Sequence, residues 1–152
     1  MMIEVPSAAA MADHMFKYAD FASVGTNDLT QYVMAADRML GSLADLNTPW
    51  QPAVLRLLKI ACDGAAASEK KSPVGVCGEA AADPALAVVL VGLGVASLSM
   101  TSRALADVDA VLKSVTREDC KRLADIALAC AEAEEARAAV RAELPILEEL
   151  GL

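Results

Sequence analysis

Among the residues of the types that handle phosphate, metal ions and protons, five are candidates for chemistry: Glu4, Asn27, Asp28, Arg38 and Cys77. Glu4 interrupts the first apolar run, Asn27 and Asp28 follow the run Phe21 to Gly25, and Cys77 closes Pro73 to Cys77, just before Gly78 and Glu79. Ser99 and Thr101 stand at the end of a fourth run. Two carboxylates can hold a magnesium ion by one oxygen each and leave its other positions to water and a phosphorylated substrate. Taken singly, each acid reads as well as a helix cap or a surface residue. The same pattern at the ends of three successive runs sets these acids apart. A cysteine in an apolar strand is ordinarily a small inert core residue, and only its place at the strand end marks Cys77 as a candidate thiol reagent. Arg38, next to Asp37, suits either a phosphate or a nearby acid, and by itself reads as half of a surface pair. His14 lies mid-helix among polar neighbours and reads as solvent-facing.

For these residues to meet, the runs that carry them must lie side by side. Met2 to Val5 reads as a short strand ended by Pro6, with Ser7 as cap of a helix to Tyr18. Phe21 to Gly25 reads as a buried strand that empties into a polar turn, Gly25-Thr26-Asn27-Asp28, followed by a helix from Asp28 to Ala36. Gly41 to Pro52 carries loop signals, and Val54, Leu57, Leu58 and Ala61 mark a helix reaching about Lys70. The third strand is Pro73 to Cys77. Asp83 and Pro84 announce a helix to Gly92 by N-cap and first-turn proline, and Val95 to Met100 is the fourth strand. Helices follow from Leu105 to Leu112, from Thr116 to Cys130, and from Glu132 to Leu150 with an interruption at Pro145. No fixed-period repeat is present.

Four strand-helix units in succession call for a parallel sheet covered by helices. Either the sheet is open and doubly wound, or it is half of an eight-fold barrel, which needs about 250 residues. In both cases the C-terminal ends of the strands gather on one face, where residues distant in sequence converge.

Composition narrows the functional classes. The 152 residues are 56% hydrophobic but only 3% aromatic, so a core of Ala, Val, Leu, Ile and Met is expected. A net charge of −8 opposes attraction to nucleic acid or anionic lipid. Cys62, Cys77, Cys120 and Cys130 form no CxxC pair, so neither a zinc site nor a disulfide framework is expected, and a reducing cytoplasm fits. The N-terminus has Glu4 and no basic leader, unlike a secretory signal. Pro84 to Ser102 is uncharged and approaches the length of a membrane span, but Gly92 and Gly94 divide it into a buried helix, a turn and a strand.

The blocks MIEVPSAA, FASVGTNDLTQY, ADR at Ala36 to Arg38, QPAVLRLLK, GVCGE and GLGVASLSM occur in this order over roughly Met1 to Ile126. In sequence and spacing they resemble the phosphoenolpyruvate-binding domain of enzyme I of the sugar phosphotransferase system. Pyruvate phosphate dikinase and phosphoenolpyruvate synthase are similar in the GTNDLTQY and CGE blocks. The resemblance implies an α/β fold in which residues 1–115 supply strands five to eight of a (β/α)8 barrel and residues 116–152 form C-terminal helices packed on it. It implies that Glu4 and Asp28 ligate Mg2+, that Asn27 and Arg38 contact the substrate phosphate, and that Cys77 protonates the enolate carbon. The implied reaction moves phosphoryl from phosphoenolpyruvate to a protein histidine and then to a phosphocarrier protein for sugar uptake, in a cytoplasmic homodimer. His14 does not match the family's phosphorylated histidine, Met39-Leu40 replaces Gly-Asn after the arginine, and Thr101 to Leu105 lacks an Ile-Pro-Arg continuation. With half of the phosphate cradle outside this sequence, the isolated chain is expected to be inactive, and a non-catalytic half-barrel that pairs with another half is the alternative.

Overall fold

The computed structural model describes residues 1–152. Its centre is a sheet of four parallel strands, β1 (Met2–Ile3), β2 (Ala22–Gly25), β3 (Val74–Cys77) and β4 (Ser97–Ser99), lying side by side in chain order. The order never reverses within these strands, so the switch point of a doubly wound sheet is absent from them. Met2, Ser23, Gly75 and Ser97 form one row across the sheet, and Gly25, Cys77 and Ser99 form the row nearer the C-terminal ends.

Side chains alternate between the two faces of a strand. Ile3, Ala22, Val24, Val74 and Val76 are buried in one continuous core with the helices. Met2, Ser23, Gly25, Gly75, Cys77, Ser97 and Ser99 take the other face. A parallel sheet is ordinarily covered on both sides. Here the second face carries small and polar residues, with Met2 at its edge.

The first helical stretch is two pieces, α1 (Pro6–Ala10) and α2 (Ala12–Met15), broken at Met11, whose φ of −106° and ψ of 19° leave the helical range. Ser7 is not its cap: Val5 occupies the cap position without a side-chain bond, and Pro6 takes the first turn, where its missing N–H costs nothing. α3 (Thr26–Met34) begins directly after β2. The expected loop after it contains a turn of 3₁₀ helix, Gly41–Leu46. α4 (Pro52–Ala67) buries Val54, Leu55, Leu58, Ala61, Cys62 and Ala65 along one stripe. After β3 come the short α5 (Glu79–Ala82) and α6 (Pro84–Leu93).

Every residue from Ala85 to Leu90 is buried, because α6 lies inside, against α7 (Leu105–Lys113), α8 (Arg117–Ala129) and α9 (Ala133–Ala142). That position explains the uncharged run. At 10 residues, α6 is about 15 Å long, half of a bilayer core. No helix of the chain is long and apolar enough to cross a membrane. Gly92 sets the α6–α8 distance: a Cβ there would lie 2.0 Å from the carbonyl oxygen of Cys120, so only glycine permits the contact. The last expected helix ends at Ala142, three residues before Pro145, which then starts α10 (Ile146–Glu149). A proline disfavours helical geometry in the residue before it, and the chain turns accordingly.

Candidate active site at the C-terminal strand ends

The polar turn expected after β2 does not form. Gly25 serves as the N-cap of α3, and Asn27 and Asp28 occupy that helix's first turn, both half-buried. The reason lies in Thr26, Leu29 and Thr30, which are buried and pull the first turn onto the core. The Thr26 hydroxyl donates to the carbonyl of Cys77 at 3.5 Å, tying the start of α3 to the end of β3. The free N–H groups of the first turn favour negative charge, so Asp28 and an incoming anion are both suited to this position.

Glu4 follows β1, and its side chain lies over Gly25. A Cβ on Gly25 would be 2.8 Å from both Cγ and Oε1 of Glu4. One carboxylate therefore sits against the residue that opens the Thr26-Asn27-Asp28 turn. Cys77 pairs in register with Gly25 on one side and Ser99 on the other. Its Sγ donates to the carbonyl of Val24 at 3.4 Å, and it is half-buried. Gly78 follows with φ of 97°, a left-handed conformation suited to glycine, and its N–H donates to Ser99 O at 3.1 Å. Glu79 starts α5 and is exposed.

Arg38 is placed differently from the surface pair its neighbours suggest. It is exposed and makes no ion pair. Asp37 instead accepts the Met39 N–H at 2.9 Å, and the backbone N–H of Arg38 donates to Gln31 Oε1 at 3.0 Å. This turn chemistry engages the nearest acid and leaves the guanidinium unpaired. Thr101 is exposed beyond β4, and His14 is solvent-facing with Nδ1 3.1 Å from Lys17 Nζ.

Sequence reasoning missed Trp50. It is buried, and its Nε1 donates to Asp83 Oδ2 at 2.9 Å, while Oδ1 of the same carboxylate accepts the N–H groups of Ala85 and Leu86 at the start of α6. The segment carrying Arg38 is thereby clasped at its far end to the segment that follows Cys77. The Asp83-Pro84 cap was legible; its tryptophan partner, 33 residues earlier, carries no local signal.

The four cysteines are free. Burial raises the thiols of Cys62, to about 12, and of Cys120 and Cys130. No three His, Cys, Asp or Glu side chains gather as a metal cage. What the strand ends offer is two carboxylates, a donor set that suits a magnesium ion retaining several waters. The principal cavities lie elsewhere. The groove lined by Asp13, Phe16, Lys17, Gly64, Ser68 and Lys70, about 550 Å³, is at the opposite end of the strands.

Comparison with known proteins identifies the family. The family described as "PEP-utilising enzyme, PEP-binding domain" matches residues 1–117. A phosphoenolpyruvate-protein phosphotransferase from Streptomyces coelicolor is 50% identical over 143 residues, 94% of this chain and 25% of the relative. One of the same name from Geobacillus stearothermophilus is 44% identical over 135 residues, 89% of this chain and 23% of the relative. A multiphosphoryl transfer protein from Xanthomonas campestris is 48% identical over 138 residues, 91% of this chain and 16% of the relative. The chain thus spans a quarter or less of the length of these relatives. With its family match covering β1 to α7 and all the candidate residues, the chain belongs to the PEP-utilising enzymes, as a PEP-binding domain.

Proposed function

We propose that this chain is the part of a phosphoenolpyruvate-protein phosphotransferase that binds phosphoenolpyruvate, and that its four strands are strands five to eight of a (β/α)8 barrel. The observation that carries the reading is the contact of Glu4 with Gly25, at the head of the helix bearing Asn27 and Asp28 and in register with Cys77. The sequential strand order, the helices on one face and the small polar residues on the other support the barrel half, since barrel interiors are filled by alternate residues of each strand. The names of the relatives support the reaction.

In this reading Glu4 and Asp28 hold Mg2+, which when bound neutralises charge on the phosphate and orients it. Asn27, in the first turn of α3, donates to a phosphate oxygen beside the free N–H groups of that turn. Arg38, free of any protein acid, closes on the same group by two parallel N–H bonds. The bridging oxygen keeps the bonding pair when phosphoryl leaves for a histidine, giving the enolate of pyruvate. Cys77 then delivers its proton to the enolate carbon, forming pyruvate, and solvent restores the thiol. The histidine, the phosphocarrier protein that takes the phosphoryl next, a cytoplasmic setting and a homodimer complete the proposal.

The test is complementation. The chain with phosphoenolpyruvate, Mg2+ and carrier protein is expected to release no pyruvate. Adding the remaining portion of the Streptomyces coelicolor relative, produced separately, is expected to restore release, and Cys77→Ala to abolish it again. Release by the chain alone, or restored release indifferent to Cys77→Ala, overturns the reading.

A further inference from the structure

The sheet has two strands with one neighbour each, β1 and β4. Gly78 N–H donates to Ser99 O at 3.1 Å and Ser23 N–H donates to Met1 O at 2.9 Å. Ser99, and by alternation Ser97, therefore faces β3, and the backbone groups of Leu98 at one edge and of Met2 at the other turn outward, away from the sheet. Each edge is flanked by an apolar groove on the helix side. Beside β4 it is about 270 Å³, lined by Val91, Val95, Leu98, Leu105, Val108 and Leu112. Beside β1 it is about 550 Å³, lined by Met1, Met15, Tyr18, Ala19 and Phe21, with Tyr18 86% and Phe21 60% exposed.

We infer that two copies of this chain, when no other half-barrel is supplied, close on each other, β4 of each pairing in parallel with β1 of its partner. The occupant follows from the topology. Every step in the sheet, β1 to β2, β2 to β3 and β3 to β4, joins parallel strands that follow one another in the chain. Setting the partner's β1 beside β4 repeats that same step, and a two-fold axis along the barrel makes both closures at once. The result has eight strands and no free edge, the count at which side chains alone fill a barrel. Each copy offers one edge of each kind, so the pair is self-complementary. The inference rests on the half-barrel reading above. Because each copy carries a net charge of −8, association is opposed by repulsion and strengthens with added salt.

Sedimentation and light scattering across a concentration series test it. The expected mass is that of two chains, with the dimer tighter at 0.5 M than at 0.05 M salt, where the Debye length is roughly 4 Å against 14 Å. Leu98→Pro removes the outward N–H, and Leu105→Asp places a charge on an exposed residue of the β4 groove. Each is expected to weaken the dimer by about tenfold or more, the equivalent of one interfacial hydrogen bond, with circular dichroism unchanged. A wild-type monomer overturns the inference. So does a dimer indifferent to both variants, which would place the contact elsewhere. Either result leaves the half-barrel reading to the complementation experiment, whose outcome does not depend on self-pairing.

Discussion

The carboxylate of Glu4 is folded over the α-carbon of Gly25, close enough that any side chain at position 25 would displace it. Both residues follow or end a strand, and neither is near the other in sequence. Gly25→Ala is expected to push Glu4 outward, which a half-buried, flexible side chain can do at a cost below about 1 kcal/mol. Restored pyruvate release in the complemented system should nonetheless fall, with the Mg2+ requirement shifted to higher concentration. A variant with wild-type Mg2+ dependence would separate Glu4 from the metal.

Gly92→Ala is the contrasting case. The added carbon would meet the Cys120 carbonyl, carbon at 2.5 Å and oxygen at 2.0 Å, and backbone cannot step aside as a glutamate does. Urea unfolding is expected to show a loss of about 3 kcal/mol or more, through forced separation of α6 and α8.

Trp50 and Asp83 should be energetically coupled. Trp50→Phe removes one donor to a partly buried carboxylate, and Asp83→Ala removes that bond together with the α6 cap. Losses of about 1–2 and 2–3 kcal/mol are expected. In a double-mutant cycle the two should sum to more than the double variant loses, by about 1 kcal/mol. Strict additivity would mean that the clasp contributes nothing.

Among four free thiols, only Cys77 is placed to react in the native state. Cys62, Cys120 and Cys130 are buried with raised thiols, Cys62 to about 12. Alkylation at neutral pH followed by peptide mass mapping is expected to label Cys77 first, and Cys77→Ser to leave the native chain largely unlabelled.

Acid should fray α8 from its start. Asp119 closes a capping box with Thr116, and hydrogen bonds from the Thr116 hydroxyl and backbone N–H hold its carboxyl below the ordinary aspartate value. A lowered folded value means that the unfolded chain takes up the proton first as pH falls. The stabilisation is therefore complete above the ordinary aspartate range and is lost on descending through it to the lowered value. Protection of the first-turn amides of α8, taken relative to the intrinsic exchange rate at each pH, should fall as the pH descends through and below the ordinary aspartate range, and Asp119→Ala should remove the transition.

The strands, the Asp83-Pro84 and Thr116 helix starts, and the apolar stripe of α4 were determined by sequence, because caps and hydrophobic periodicity act over a few residues. Motif order likewise fixed the family. Local signals misjudged the stretch after Gly25: the polar look of Thr26-Asn27-Asp28 suggested a turn, yet burial of Thr26, Leu29 and Thr30 made it helix. Only tertiary structure decided that Trp50 reaches Asp83 and that Glu4 lies on Gly25. Those relations depend on packing between segments many residues apart, where shape and burial outweigh what any short stretch prefers.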